Sequence, residues 1–561
     1  MNYHLAPART LDTLVAAATG PFEAWTFDDR AARSAAEEAL AARGITARIR
    51  SAYKPLLHFF LEEARAGFTA AHVTFPRHDA AVANRFLLET YPLAALYPDA
   101  RITFAPGGAG AFYTVALSYP DGAEQHEVLA PNRLHADHVG ERTLSPTGWL
   151  IDAGGARRLE TDYEQMFHGA MAAILAQDWG RDEPYFEELN IAATVPAHDL
   201  DLGYDDEVLS LVEALHEDLY FSCLEVFQRH SGRPLGDRGL QPGQIVPQVR
   251  QGAAPEIRVT LRRYDTADRG GEPQDLEQAG AALSIAQIRA EMAGIGGQPL
   301  RATSRAGREV LAQYRSGAGK PVMISAGQHA NETTPVVGAL RAARRLAADG
   351  AAFVISPMEN PDGYALHGRL AQLTPRHMLH AARYTALGDD LEYRTGPSAL
   401  YEKEIRLEAE RVSGAQLHIN LHGYPAHEWT RPMTGYIPRS FAMWTLPKGF
   451  FLVMRHMPGW DTIARALTQE VTQALMQVPG LAAFNARQIE LYRIHAGETG
   501  FEMINGFPCY IHEDTRHTVP LTLITEYSDE TLYGAPFIAG HTAQMHTVLA
   551  AHAAWQGMAG V

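Results

Sequence analysis

Residues 323 to 335 read MISAGQHANETTP, an apolar run that breaks at Gly327 and then presents His329 and Glu332 three residues apart. On a tight turn or a first helical turn that spacing lets an imidazole and a carboxylate face one point, as two ligands of a metal would. In a chain with 25 histidines an isolated H-x-x-E is weak, so a third ligand must come from another strand end. The stretch AQLHINLHG offers one. Leu417, Ile419 and Leu421 alternate with His418, Asn420 and His422, which places the three polar residues on one face of a strand. His422 is the last residue before Gly423. His418 lies about 13 Å back along the strand, too far to share a first shell, and suits a buried, hydrogen-bonded role. Two histidines and a glutamate with water in the fourth position form one arrangement of catalytic zinc, whose chemistry needs a carboxylate to move the proton of the water. Glu526, at the end of the apolar part of VPLTLITEYSDE and on the same face as Thr522 and Ile524, is the candidate.

These residues must be positioned by strand ends. PVMISAG is apolar on both faces, as in a strand at the centre of a sheet. TPVVGALRAARRLAADG reads as a helix, AAFVISPMENPDG as a strand and turn, LYEKEIRLEAERVSG as a helix and AQLHINLHG as a strand. Strand and helix alternating in this way predict an α/β/α three-layer domain with a mixed, largely parallel sheet, whose sites lie beyond the carboxyl ends of its strands. The polar, glycine-rich stretch DTADRGGEPQDLEQAG marks the boundary. The expected division is an α+β region over residues 1–265, a linker over 266–282 and the α/β domain over 283–561. In the first part AHVTFP, RITFAP and FYTVALSY read as strands. DDEVLSLVEALHEDLYFSCLEVFQRHSG reads as a long helix stopped at Gly232, and QIVPQVRQ with EIRVTLRRY reads as a hairpin.

A chain of 561 residues exceeds one ordinary core. Its formal charge of −17 is spread along the sequence, which argues against nucleic acid or an anionic membrane as a partner. Two cysteines, Cys223 and Cys509, provide neither a disulfide scaffold nor a cysteine zinc site. The first residues lack a basic leader followed by an apolar core, and a cytoplasmic location is expected.

Taken together, GQHANETTP, ENPDGYALHGR, INLHG and LITEYSDE resemble, in order and approximate spacing, the zinc carboxypeptidase family, the funnelin-like metallopeptidases of the carboxypeptidase A type. The resemblance covers about residues 280–555. It implies one zinc ion per chain held by His329, Glu332 and His422, Glu526 as general base, and a peptide or amino-acid amide as substrate. It also implies an arginine after N-P-D-G that stabilises the oxyanion. Arg376 sits closest to the expected offset, with Arg369 and Arg383 as rivals. Tyr510 is the nearest counterpart of the family's mobile tyrosine.

One departure bears on specificity. The Asn-Arg pair with which the family grips a C-terminal carboxylate is replaced in GDDLEYR by Glu392 and Tyr393. An anion there repels a carboxylate, and tyrosine has no two-pronged donor. Arg394, one place on, is the arginine positioned to compensate; Glu392 is otherwise expected to face a cationic group of an unusual substrate. The expected activity is a carboxypeptidase-type exopeptidase with atypical end-group recognition. The alternative is a deacylase of N-acyl amino acids of the aspartoacylase or desuccinylase kind, whose H-G-N-E is close to HANE. A lesser alternative is a non-catalytic binding protein that retains the fold. The first 265 residues are expected to wall the cleft or mediate homo-oligomerisation.

Overall fold

The computed structural model describes the chain except residues 83, 269, 395–398, 442–443 and 559–561. Its second half is organised around one sheet. The strands are β1 (Gln298–Thr303), β2 (Glu309–Arg315), β3 (Ala318–Ser325), β4 (Ala351–Ser356), β5 (Leu417–Tyr424), β6 (Phe451–His456), β7 (Glu502–Ile504), β8 (Phe507–Glu513) and β9 (Leu521–Ser528). Their spatial order is β1, β2, β4, β3, β5, β9, β6, β8, β7. The central run β4, β3, β5, β9 is parallel. β2 and β6 join its two sides antiparallel.

The helices between them are α1 (Thr334–Ala348), α2 (Pro361–Ala371), α3 (Glu404–Ser413), α4 (Asp461–Leu475), α5 (Leu481–Ala496) and α6 (Ala535–Gly557). Alternation along the central strands makes three layers. Val322 and Ile324 of β3, Leu417, Ile419 and Leu421 of β5, and Leu521 and Leu523 of β9 share one core with α1, α4 and α6. Met323 and Val354 point to the opposite face and pack with Ile405 and Ala409 of α3. The close crossing of α1 on α6 depends on Gly338, where a Cβ would lie 2.4 Å from the Gln544 Cβ. The predicted mixed α/β/α sheet is thus the fold observed, and no helix among the described residues is long and apolar enough to cross a membrane.

The first 265 residues form an α+β assembly of several small sheets around the helix Leu211–Ser231. That helix is capped by the Ser210 hydroxyl accepting from Glu213 N–H, and it stops at Gly232, whose φ of 78° suits glycine. The strands Gln244–Gln251 and Glu256–Arg262 do not form the hairpin expected of them. Both pair instead with Glu188–Val195, the first in parallel and the second antiparallel. Glu188–Val195 is buried in all but two positions, so a strand between the two satisfies more backbone and apolar surface than a direct turn would.

The two halves share a core. Phe221 of the long helix meets Trp429 and Phe441, with ring centroids 5.3 and 5.4 Å apart, and Met378, Leu379 and Tyr384 belong to the same apolar cluster. The stretch after residue 265 is pinned as well: Arg308 donates to Asp268 at 3.0 Å and to the Asp265 carbonyl at 2.8 Å, and Leu276 and Ala279 are fully buried. The first half therefore packs on the loops that follow the carboxyl ends of the central strands.

Candidate metal centre

β3 ends at Ser325, and the loop that follows carries His329 and Glu332 to the start of α1. β5 delivers His422 at its carboxyl end, and its parallel neighbour β9 places Glu526 directly opposite His422 in register. The four residues singled out in the sequence thus converge. His329 Nδ1 lies 2.9 Å from Glu332 Oε1, His422 Nδ1 lies 3.0 Å from Glu332 Oε2, and the two Nδ1 atoms are 3.1 Å apart. One ligand atom from each of His329, Glu332 and His422 lies within 4.8 Å of the others, so the three could hold a metal ion. Two imidazole nitrogens and a carboxylate oxygen turned toward one another in a buried place are a donor set that suits zinc.

The surroundings hold these groups in place. Asp390 Oδ2 faces His329 Nε2 at 3.3 Å, and Gln328 donates to Asp390 Oδ1 at 2.9 Å. With a metal bound, a carboxylate in that position would keep the His329 proton on Nε2 and turn the Nδ1 lone pair to the ion, the usual role of a carboxylate behind a histidine ligand. Glu332 accepts from Gly423 N–H at 3.0 Å and from Arg383 Nη1 at 2.8 Å. Burial alone would raise the Glu332 carboxyl, but His329, Arg383 and His422 together hold it well below the usual range. Glu526 goes the other way: burial and the nearby Glu332 push it well above the usual range, against Arg383 and Lys448. Two carboxylates pushed apart in this manner suit one for holding a cation and the other for carrying a proton. His418 takes the predicted structural place, 2.7 Å from the Ser325 hydroxyl.

The remaining sequence candidates separate. His329, His422, Arg383, Glu526, Glu392, Tyr393 and Tyr510 line one cavity of about 340 Å³. Arg376 does not: it is half exposed, pairs with Asp201 at 3.5 Å, and borders a different cavity. Arg369 pairs with Glu188 at 2.8 Å. Of the three arginines considered, Arg383 is the one at the cluster. Its position follows from the 3-10 turn His380–Ala382, packed under the first half, and no local pattern announces it.

The sequence GDDLEYR takes on a different meaning in three dimensions. Arg394 is fully buried, bonded to Asp389 and Glu402, and is not available to a substrate. Glu392 does not await a cation from outside. Its carboxylate is held by Arg406 at 3.0 Å, by His517 at 2.7 Å and by Arg455. Burial would raise it, but His517, Arg406 and Arg455 hold it well below the usual carboxylate range. Tyr510, half exposed on β8, packs against His512 on the cavity wall, with ring centroids 4.6 Å apart and the planes tilted by 31°. Sequence reasoning missed Asp390, although it lies inside the quoted GDDLEYR. It also missed Arg238, Trp429 and Phe441, which reach the cavity only through long-range packing.

His135 and His138 have the H-x-x-H spacing seen in some metal sites, but the two rings go to different partners. His135 bonds Ser145, while His138 lies 3.0 Å from Glu225. His138, Asp137 and Glu225 are spaced to hold an ion, but Arg431 and Arg439 already neutralise the two carboxylates.

No protein-family model and no curated protein sequence matches the chain. Solved structures do. A metallo-carboxypeptidase from Pseudomonas aeruginosa is similar over 53% of this chain and 73% of its own, at 16% identity and a TM-score of 0.29. A metallo-carboxypeptidase from Burkholderia cenocepacia is similar over 54% and 75%, at 14% identity and a TM-score of 0.30. Carboxypeptidase A from Helicoverpa armigera is similar over 56% and 90%, at 13% identity and a TM-score of 0.29. At that level of overlap the functional reading rests on the side chains of the site.

Proposed function

We propose that the protein is a zinc-dependent hydrolase that cleaves an amide bond, most simply a carboxypeptidase-type exopeptidase whose end-group recognition departs from the family pattern. The observation that carries this reading is the convergence of His329, Glu332 and His422 within 4.8 Å, with Glu526 opposite His422 in the same cavity. A zinc ion bound there would polarise the substrate carbonyl and acidify a water. Glu526, in the cavity and opposite His422, would accept the proton of the attacking water and deliver it to the leaving nitrogen. Arg383, buried beside Glu332, offers the guanidinium that would meet the developing oxyanion. The first half narrows access to the strand ends, which favours small substrates or chain ends.

The deacylase reading shares this chemistry, and substrate comparison separates the two. Hydrolysis of acyl dipeptides with free and amidated C-termini is set against hydrolysis of N-acyl amino acids, with metal content measured alongside. The expected result is one zinc per chain, cleavage of the peptides, and a Glu526→Gln variant that keeps zinc and loses activity. Wild-type protein without zinc, or a fully active Glu526→Gln variant, would overturn the proposal.

A further inference from the structure

Arg238 belongs to the first half of the chain yet lines the cavity of the metal centre. Its guanidinium donates no hydrogen bond among the described residues. Its nearest carboxylate oxygen is Asp390 Oδ2, at 3.9 Å, and that same atom holds His329 Nε2 at 3.3 Å. The guanidinium is kept in place by its faces, over Phe441 at 5.0 Å and over Tyr393 at 5.8 Å. A guanidinium stacked in this way has limited freedom and its N–H edge unspent, the state from which a planar carboxylate is bound by two parallel hydrogen bonds with little further ordering. Of the other arginines lining the cavity, Arg455 is bonded to Glu392 and His517, and Arg383 is bonded through Nη1 to Glu332 at the metal centre, where its remaining N–H groups are the ones assigned above to the oxyanion.

Glu392 does not oppose an anion there, because Arg406 and Arg455 already neutralise it and His517 holds the same carboxylate at 2.7 Å. The wall beyond Arg238 is aromatic, with Trp429, Trp444 and Phe501 facing the same space. Resting on the hydrolase reading above, we infer that Arg238 is the specificity residue that binds a carboxylate of the substrate, next to an apolar side chain seated on the aromatic wall. The N-terminal region thereby supplies part of the substrate site as well as enclosing it.

Binding, measured apart from turnover, tests this. The zinc-loaded full chain is titrated calorimetrically with N-acetylphenylalanine and with N-acetylphenylalaninamide. Wild-type protein is expected to prefer the carboxylate. In Arg238→Gln the carboxylate should bind about 10- to 100-fold more weakly, the loss of a charge-assisted pair, while the amide changes little. Arg238→Lys, which keeps the charge and loses the fork, should fall between. If Arg238 only steadies Asp390 and His329, both ligands weaken alike and bound zinc falls, which overturns the assignment. Absence of a carboxylate preference in the wild type overturns it too. Neither result touches the hydrolase reading, which fails separately on zinc content and on Glu526→Gln.

Discussion

Replacing Glu392 by glutamine removes the negative charge at the centre of a buried cluster of cations. In the wild type its two oxygens serve Arg406 at 3.0 Å, His517 at 2.7 Å and Arg455. Breaking a buried ion pair by deleting one partner costs about 3–5 kcal/mol, because the other charge is left uncompensated. Arg406 retains Glu359 and Gln328, and Arg455 retains His517 at 3.0 Å and a longer contact with Asp514 at 3.6 Å. The cost should therefore fall near the low end, about 3 kcal/mol at neutral pH. Urea unfolding followed by tryptophan fluorescence is the assay, repeated from pH 7 to pH 3. The Glu392 pKa is depressed in the folded chain. Its contribution is therefore complete above the unfolded value of about 4.3 and is lost as pH falls toward the folded value. The gap between wild type and Glu392→Gln should be full from pH 7 down to about pH 4.3 and narrow progressively below that. Equal midpoints at pH 7, or a gap that ignores pH, would refute the reasoning that Glu392 is a structural anion inside a cation cluster.

Two further outcomes follow from the site. Arg383→Met should lower kcat by about 10²–10³-fold if its guanidinium meets the oxyanion, whereas Arg376→Met, which stands outside the cavity, should stay near wild type; steady-state kinetics on one peptide decides between them. Lys448 is fully buried with no hydrogen bond to its amine among the described residues, lies over the rings of Tyr424, Trp444, Phe451 and Tyr492, and has its pKa pushed down by burial to about 7. Because the unfolded lysine titrates near 10.4, the unfolded chain binds the extra proton between these values, and stability should rise from about pH 7 toward pH 10. In Lys448→Met that rise should vanish in urea titrations made at a series of pH values.

Much of the metal centre was legible from sequence because it depends on geometry local to single elements. Three-residue spacing brings His329 and Glu332 together, two-residue alternation separates the face of His422 from that of Leu421, and a strand exit presents Glu526. The layered sheet followed from the same periodicities. The substrate end was not legible on those terms. Arg394 stands beside Glu392 in sequence, yet packing turns it inward to Asp389 and Glu402. Arg376 and Arg383 are seven residues apart, and only the turn pressed under the first half selects Arg383.

The sequence by itself determined the chemical types and the local pairings, since bond geometry within a helix turn or a strand leaves them little choice. Tertiary structure decided which charges cancel and which remain. Glu392 is neutralised by Arg406 and Arg455, 14 and 63 positions away, and held by His517, 125 positions away. Arg238 arrives from the other half of the chain with no hydrogen bond donated by its guanidinium among the described residues and only a 3.9 Å contact with Asp390. The physical reason is that the state of a buried charge is set by whatever surrounds it in space, and at this cleft those neighbours come from both halves of the fold.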